Sequence, residues 1–323
     1  MSFYKPNNEC PVCGRESEFK FIKDHKNQYG DFSLWQCHQC LVRFWLPFEN
    51  PTAREWYEKT DPYNIKKNNQ ARKLHHYHKK FIELHKKEIV KNRILDLGCG
   101  TGEFVAELEK FGGEAWGTDI DQPAVEIAKK FNLKNVYPLP IENFFEKENL
   151  PSFDYITIFE VLEHVGNPLE IIKKAKNLLT PEGKIVISLP SRKRIFPELS
   201  EWDYPLHHLS RWSPEALRKF LSLAGYKNIK IRIFGKFHYL YELSLQLIIP
   251  KKLVAKTKKE ISRAEGPKES NNKIKQKILK SIYPLARLIA VFLIPYLLTA
   301  LLFLPTVIFF PRTGSLYVEA EKN

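Results

Sequence analysis

Short apolar runs alternate with stretches of helical periodicity through the middle of the chain. The apolar runs predict strands at 93–97, 114–118, 135–137, 153–159, 183–190 and 228–234. Amphipathic spacing between them predicts helices at 103–111, 123–131 and 169–179. One more strand pattern lies near the end of the chain, at 315–320. This alternation predicts an α/β fold, with a Rossmann-like seven-stranded sheet that carries helices on both faces.

A glycine-rich turn follows the first of these strands. In Asp96-Leu-Gly98-Cys-Gly100-Thr-Gly102, side chains are missing where a ligand can meet the backbone, and helical spacing begins directly afterwards. A dinucleotide fingerprint needs glycine where Glu103 stands, so nicotinamide and flavin cofactors are disfavoured. Taken alone, the turn is equally compatible with a tight connection between strand and helix.

Acidic residues follow the second and fourth predicted strands. Asp119 lies about twenty residues beyond the turn, where a carboxylate can accept both ribose hydroxyls of a nucleoside. We predict that Asp121 caps the next helix. Glu160-Val-Leu-Glu163-His164-Val follows the fourth strand. Because the carboxyl ends of parallel strands meet at one edge of a sheet, these acids predict a ligand site there.

Together these motifs resemble the class I S-adenosylmethionine-dependent methyltransferases. The "LEHV" segment after strand four and "PEGKIVISLP" at strand five are similar to the ubiquinone-pathway O-methyltransferases, and the resemblance covers residues 94–234. It implies S-adenosylmethionine as cofactor, bound by Asp96, Gly98, Cys99, Gly100, Gly102, Asp119, Ile120, Glu142 and Glu160. It also matches Glu160, Glu163 and His164 to residues proposed to hold a divalent ion in those enzymes. The alternative is that Glu163 and His164 only order their loop.

The segment 191–212 leaves the carboxyl end of the fifth strand, where open α/β sheets place active sites. Methyl transfer from a sulfonium needs a positioned acceptor that can lose a proton, and a neutral histidine is a suitable base. His208, in His-Leu-Ser-Arg-Trp-Ser, resembles a histidine of zinc-ribbon-bearing sugar C-methyltransferases. We predict His208 as the catalytic base, with His207 and His164 as alternatives.

Two Cys-x-x-Cys knuckles lie near the start of the chain, formed by Cys10 with Cys13 and by Cys37 with Cys40. Two such pairs place four thiolates at tetrahedral distance and predict a structural zinc ribbon over residues 1–48. Disulfide or redox pairing is the competing interpretation. Five cysteines in this arrangement suit a reducing compartment better than a secreted disulfide framework. We expect His38 to be an exposed turn residue.

The stretch between the ribbon and the first strand is rich in aromatic residues and histidines. Aromatic residues within 41–63 are expected to pack the ribbon onto the catalytic domain. Residues 66–90 predict an amphipathic helix with an apolar face formed by Leu74, Tyr77, Phe81 and Leu84. Its histidines could form a metal cluster, but we place them on the solvated face: His75, His76, His78 and His85.

A long insertion separates the sixth and seventh predicted strands. Residues 251–280 carry eleven Lys or Arg against three Glu, and residues 288–310 carry no charge. The uncharged run is long enough to cross a bilayer, but a single crossing would separate 315–320 from the sheet. Because Pro295 and Pro305 divide the run, we predict a re-entrant or interfacial anchor. A true span and a buried helix or dimer contact are the alternatives.

These boundaries give a zinc ribbon at 1–48, a linker at 49–65, a methyltransferase domain at 66–235 completed by 313–323, and an insertion at 236–312. The 323 residues carry a net charge of +14, which favours acidic partners. The first fifteen residues contain no apolar segment of the kind found in signal peptides.

We therefore expect a methyltransferase at the cytoplasmic face of a membrane, with a lipid-linked or amphipathic acceptor such as a polyprenyl-linked sugar. A soluble nucleotide-linked sugar is the alternative acceptor. RNA binding or modification is less favoured, because lysine predominates in the basic segment and no aromatic recognition strand is evident. The oligomeric state is left open.

Overall fold

The computed structural model of the protein describes residues 2–49, 73–193, 203–234 and 315–323. The predicted linker beyond residue 49 and the predicted insertion at 236–312 lie outside the described residues. The chain begins with a small antiparallel sheet. Its strands are β1 (Phe19–Asn27), β2 (Gly30–Cys37) and β3 (Arg43–Leu46).

A larger sheet follows, with strands and helices alternating along the chain. The elements are α1 (His76–Ile89), β4 (Arg93–Leu97), α2 (Glu103–Lys110), β5 (Glu114–Thr118), α3 (Gln122–Lys130), β6 (Val136–Tyr137), α4 (Ile141–Phe144), β7 (Phe153–Phe159), α5 (Pro168–Leu178) and β8 (Leu179–Pro190). Then come β9 (Ser210–Arg211), α6 (Pro214–Leu223), β10 (Tyr226–Phe234) and β11 (Ser315–Lys322). The predicted strands and the helices after β4 are confirmed, with ends shifted by up to four residues, whereas α1 covers only His76–Ile89 of the helix predicted at 66–90.

The larger sheet has the strand order β10-β11-β8-β7-β4-β5-β6 among the described residues. Strands β4 to β8 pair in parallel, whereas β11 lies antiparallel between β8 and β10. The predicted seventh strand is therefore confirmed. Its residue Val318 pairs with Ile187 and Ile231, and Val318 and Ile187 are fully buried. This apolar match explains why a strand so distant in sequence completes the sheet.

Helix α1 differs from its prediction, because two of its histidines are buried. His78 is 6% exposed and stacks on Phe104, with ring centroids 4.7 Å apart. His85 is 5% exposed and lies between two carboxylates, 3.3 Å from Glu88 and 3.4 Å from Glu319. Aromatic stacking and carboxylate partners make a buried imidazole tolerable. The solvated position predicted for His78 and His85 is therefore wrong, whereas His76 is exposed.

The cysteine-rich segment continues directly into the rest of the molecule. Strand β9 extends the small sheet by pairing with β3, Phe44 opposite Ser210. Phe44, Phe48 and Leu41 pack with the sheet core that contains Leu95. The packing role expected for the aromatic residues is confirmed for Phe44 and Phe48. Among the helices of the described ranges, none combines the length and the apolar character that crossing a membrane requires.

Candidate active site

The glycine-rich turn is fixed by backbone hydrogen bonds to the next strand. The N–H groups of Gly98 and Cys99 donate to the Thr118 carbonyl, at 2.8 and 3.0 Å. Gly98 has φ +87°, and a Cβ there would lie 2.3 Å from Val161 Cγ2. No residue except glycine can therefore hold this turn against the loop after β7.

A cavity of about 300 Å³ lies beside this turn, at the carboxyl edge of the parallel strands. Seven of the nine residues predicted to bind the cofactor line it: Gly98, Cys99, Gly100, Asp119, Ile120, Glu142 and Glu160. Its volume and position are typical of a site for a small cofactor in an open α/β sheet. The structure therefore brings most of the predicted cofactor residues together.

The other two predicted residues, Asp96 and Gly102, support the turn without lining the cavity. The Asp96 carboxyl group is 2% exposed and accepts a 2.6 Å hydrogen bond from Thr157. Burial raises the pKa of Asp96 to about 7. Gly102 has φ +74°, and a Cβ there would lie 2.8 Å from Ala128. Neither residue lines this cavity, and both instead help to fix the shape of the turn.

Asp119 connects the turn to the start of α3. Its Oδ2 accepts a hydrogen bond from the Gly100 N–H at 2.8 Å, and its Oδ1 accepts one from the Asp121 N–H at 2.8 Å. Asp121 occupies the N-cap position of α3, but its side chain makes no capping hydrogen bond. Instead Asp121 lines the cavity. The carboxylate of Asp119 is thus held in place at the wall of the cavity.

Glu160 follows β7 in a left-handed conformation, with φ +55°. Its N–H donates to the Ser188 carbonyl at 2.8 Å, and its Oε1 accepts from the Ser188 hydroxyl at 2.7 Å. Residues other than glycine rarely adopt a positive φ, and those that do concentrate at functional sites. These bonds fix Glu160 in the cavity wall.

The three candidate bases occupy different positions. His164 lines the cavity, and burial beside His208 lowers its pKa to about 3, so it is neutral at pH 7. His208 is 7% exposed and does not line this cavity, with its Nδ1 3.3 Å from Asp203. His207 is half-buried, and its carbonyl accepts a hydrogen bond from His164. Of the three, His164 alone contacts the cavity, in contrast to the predicted preference for His208.

Sequence reasoning missed several residues of the cavity wall. Tyr77 and His78 of α1 line it, together with Phe159 at the end of β7. The helical periodicity of α1 already assigned Tyr77 to the buried face. His78 lies four residues after Leu74 and three before Phe81, so helical spacing places it on the same face, and that spacing was the signal that could have identified it.

The four knuckle cysteines come together as predicted. Their sulfur atoms all lie within 4.8 Å of one another, and Cys10 Sγ is 4.0 Å from Cys40 Sγ. A tetrahedral site with four thiolates needs sulfur atoms about 3.8 Å apart. All four cysteines are free and buried. The disulfide alternative is therefore not realised, and the donor set suits zinc.

Hydrogen bonds connect this small sheet to the cavity wall. The Trp45 N–H of β3 donates to the Leu209 carbonyl at 2.9 Å, and the Leu209 N–H donates to the Glu163 carbonyl at 2.8 Å. Glu163 directly precedes His164 in the cavity wall. The cysteine-bearing segment thus helps to position both segments that carry the candidate catalytic histidines, the one before β9 and the one after β7.

The strand order, the antiparallel seventh strand, the glycine turn and the acid at the end of β5 define a class I S-adenosylmethionine-dependent methyltransferase. A family model described as "Methyltransferase domain" matches residues 67–231. The chain belongs to this family, as its motifs predicted.

Curated relatives agree with this assignment. The chain is 33% identical over 108 residues to a ubiquinone biosynthesis O-methyltransferase of Actinobacillus pleuropneumoniae, covering 31% of this chain and 46% of the relative. It is 31% identical over 117 residues to the protein of that name from Idiomarina loihiensis, covering 35% and 48%. The chain thus spans about half the length of the curated relatives it matches.

A solved structure of Haemonchus contortus phosphoethanolamine N-methyltransferase 2, bound to phosphomonomethylethanolamine and S-adenosylhomocysteine, superimposes with a TM-score of 0.52 at 14% identity. The match covers 93% of this chain and 71% of that protein, and at this identity it shows the fold alone.

Proposed function

We propose that the protein transfers the methyl group of S-adenosylmethionine to a hydroxyl oxygen of an amphipathic small-molecule acceptor. The cavity beside the glycine turn carries this proposal, because seven predicted cofactor residues and His164 line the same space. The Asp119 carboxylate would accept hydrogen bonds from the ribose hydroxyls. The side of the cavity formed by Tyr77, Phe159 and His164 would then face the methionine part and the acceptor.

The reaction is a single in-line displacement. An electron pair of the acceptor oxygen forms the new C–O bond as the methyl carbon–sulfur bond breaks, leaving S-adenosylhomocysteine. The acceptor hydroxyl proton is released to solvent. Because the sulfonium is already reactive, the chain contributes mainly by orienting donor and acceptor. The choice of oxygen is supported by the relatives, which are named O-methyltransferases.

An amphipathic acceptor and a position at the cytoplasmic face of a membrane are supported by the sequence. The uncharged run at 288–310 follows a segment with eleven Lys or Arg at 251–280. Apolar and basic stretches in succession suit association with anionic lipid surfaces. Lipid-linked acceptors, including polyprenyl-linked sugars, are accordingly within the proposed substrate class.

The proposal is tested by incubating the full chain with S-adenosylmethionine labelled in the methyl group and a host extract, then separating organic and aqueous phases. We expect the label in the organic phase. Cleavage of the methyl ether in that product should then release the label as a volatile compound. Label confined to the aqueous phase would contradict the amphipathic acceptor and favour a soluble nucleotide-linked sugar. The Asp119→Ala variant is the control for label that the enzyme does not transfer.

We also propose that Cys10, Cys13, Cys37 and Cys40 hold one structural zinc ion. The four sulfur atoms already lie close to tetrahedral separation. Each knuckle is followed by a left-handed residue, Gly14 at φ +63° and Leu41 at φ +62°, and the Cys40 N–H points to Cys37 Sγ at 3.5 Å. When bound, the ion would cross-link the two knuckles and stabilise the small sheet.

Replacing Cys13 with serine should release the zinc and lower turnover by about 10-fold or more, while S-adenosylhomocysteine affinity changes less. The reason is that β3 holds the Leu209 segment and, through it, the Glu163 backbone. Zinc content by atomic absorption and steady-state kinetics check this result. His38→Ala is the matched control, because His38 lies in the same knuckle, half exposed, and should keep both zinc and turnover. Unchanged turnover after zinc loss would refute the link.

A further inference from the structure

Arginine side chains of the described ranges meet where the small sheet joins the end of β8. Gln36 of β2, Arg43 of β3 and Arg211 of β9 are register partners on neighbouring strands. Register partners of an antiparallel ladder place their side chains on the same face, so these three form one row across the sheet. Arg192 lies two residues beyond β8, and its Nη1 donates to Gln36 Oε1 at 3.0 Å.

Gln36 joins two of the guanidinium groups. Its Oε1 accepts a second hydrogen bond, from Arg43 Nε at 3.2 Å. One neutral oxygen therefore holds two cations side by side, and Arg211 stands directly opposite Arg43 in the ladder. Like charges directly opposite one another destabilise a sheet. An anion bound at this place would offset that repulsion.

Two carboxylates lie near the arginines, and each has another cation as its partner. Asp203 Oδ2 lies 3.4 Å from Arg211 Nη2, and Glu215 Oε2 lies 3.0 Å from Lys193 Nζ. Within the part of the chain that the structure describes, Arg192 takes part in no ion pair, and its guanidinium donates to the neutral Gln36 oxygen.

Arg192 is half-buried and carries its positive charge at neutral pH. Burial and, after it, the Arg43 guanidinium lower the pKa of Arg192 to about 10, which leaves the group protonated at pH 7. A guanidinium has five N–H donors in a planar fork, and Gln36 takes one of them. Paired N–H donors of this kind match the oxygen atoms of phosphate.

We propose that Arg192, Arg43 and Gln36 form a binding site for a phosphate or diphosphate group, with Arg211 adding positive charge. The two guanidinium groups would donate to phosphate oxygens, and the Gln36 amide nitrogen would add a neutral donor. A diphosphate suits the site best, because it presents negative charge to two neighbouring cations at once.

The proposed phosphate site adjoins the active site. Arg192 and Arg211 line a cavity of about 10 Å³ together with Glu163, and Glu163 directly precedes His164 in the wall of the cofactor cavity. A cavity of that size holds about one water molecule. The phosphate would therefore bind outside it, on the Gln36 side of the arginines.

This position suits the phosphate linkage of an acceptor. Polyprenyl-linked and nucleotide-linked sugars both carry phosphate or diphosphate at the linkage, so one site could anchor either class beside the cofactor cavity. The identification of the ligand as the methyl acceptor rests on the proposed function. Phosphate binding itself does not, and it can be measured on the resting protein.

The test is calorimetric titration of the zinc-loaded full chain with inorganic pyrophosphate at low ionic strength. We expect one site per chain, and Arg192→Gln and Arg43→Gln should each weaken binding by at least about 10-fold. Arg192→Lys should recover part of the affinity, because it restores the charge without the fork. Arg218→Gln is the matched control: Arg218 donates to the Ile229 carbonyl on α6's other side of the chain, so this variant should bind pyrophosphate as the wild type does.

Geranyl diphosphate and uridine diphosphate distinguish the two sources of the group. Tighter binding of geranyl diphosphate than of pyrophosphate, weakened in Arg192→Gln, would support a lipid-linked acceptor at this site. The same result with uridine diphosphate would support a nucleotide-linked acceptor. If neither binds more tightly than pyrophosphate, the site recognises the diphosphate alone, as proposed.

Zinc content tests a competing role for the arginines. A zinc ion with four thiolates carries two negative charges, and the Cys40 thiol lies close enough to Arg192 to act on its charge. Loss of zinc from Arg192→Gln would assign this guanidinium to the zinc site and overturn the proposal. So would the absence of pyrophosphate binding, or affinity that persists in Arg192→Gln.

Binding of S-adenosylhomocysteine establishes that each variant is folded, and Arg43→Gln decides the outcome if Arg192→Gln fails this check. If the wild type binds S-adenosylhomocysteine but no pyrophosphate, the phosphate site is wrong and the proposed function stands. If it binds pyrophosphate but no S-adenosylhomocysteine, the phosphate site stands and the cofactor assignment fails.

Discussion

Replacing Asp119 with alanine should weaken binding of S-adenosylhomocysteine by about 100-fold or more. The ribose of the ligand would lose two hydrogen bonds to the Asp119 carboxylate, each worth about 1.5–3 kcal/mol because the acceptor is charged. A loss of about 3 kcal/mol corresponds to about two orders of magnitude in affinity. The turn also loses an anchor, since Asp119 accepts the Gly100 N–H at 2.8 Å. Calorimetric titration measures the affinity directly.

Asp154→Ala is the matched control for this experiment. Asp154 lies on β7 of the parallel sheet and, like Asp119, accepts a hydrogen bond from a backbone N–H, that of Arg93 at 2.8 Å. It stands near the amino end of β7, away from the cavity. We expect this variant to lose stability and to keep its affinity within a few-fold of wild type. An Asp119→Ala protein that is folded and binds as tightly as wild type would refute the role of Asp119.

Gly98→Ala should prevent cofactor binding and lower the free energy of unfolding by about 3 kcal/mol or more. Two costs add: about 1–2 kcal/mol for an L-residue at φ +87°, and about 1–3 kcal/mol for overlap with Val161 Cγ2 at 2.3 Å. Urea denaturation and calorimetry measure the two effects. Adding Val161→Ala to Gly98→Ala should recover part of the stability, because it removes the overlapping methyl group.

Gly112→Ala separates the steric cost from the backbone cost. Gly112 has φ +84°, almost the same as Gly98, but a Cβ there would meet its nearest atom, Val90 Cγ1, at 3.8 Å. We expect a loss of about 1–2 kcal/mol and unchanged cofactor affinity. Equal losses in the Gly98 and Gly112 variants would show that close packing of the turn is not required.

The sheet could be predicted from the sequence because its central strands are buried on both faces. Four residues of these strands are fully buried: Leu95 and Leu97 of β4, Ile158 of β7 and Ile187 of β8. Apolar runs of this kind can be recognised directly in the sequence. Even β11 could be predicted, since the fold requires a last strand and Ser315–Lys322 carries the pattern. The glycine turn and Asp119 followed from their spacing along the chain.

The roles of the histidines could not be predicted, because they depend on contacts between distant segments. Hydropathy places histidine among polar residues, yet His78 and His85 are buried by stacking on Phe104 and by contact with Glu319. His208 matched a catalytic motif by its local sequence. Its position beside Glu163 and Asp203 depends on how the segment before β9 folds back, which local periodicity does not encode.

The link between the cysteine knuckles and the active site was missed for a similar reason. Strand β9 contains two residues, Ser210 and Arg211, and its pairing with β3 is too short to leave a pattern in the sequence. The boundary drawn at residue 48 therefore separated two parts that share a sheet and belong to one compact unit.

The central claim is that the cavity beside the glycine turn holds S-adenosylmethionine, and a crystal structure of the full chain with S-adenosylhomocysteine tests it most directly. We predict ribose hydroxyls within hydrogen-bonding distance of the Asp119 carboxylate and the thioether sulfur on the side of the cavity lined by Tyr77 and His164. A ligand bound elsewhere, or an empty cavity at saturating ligand, would contradict the account.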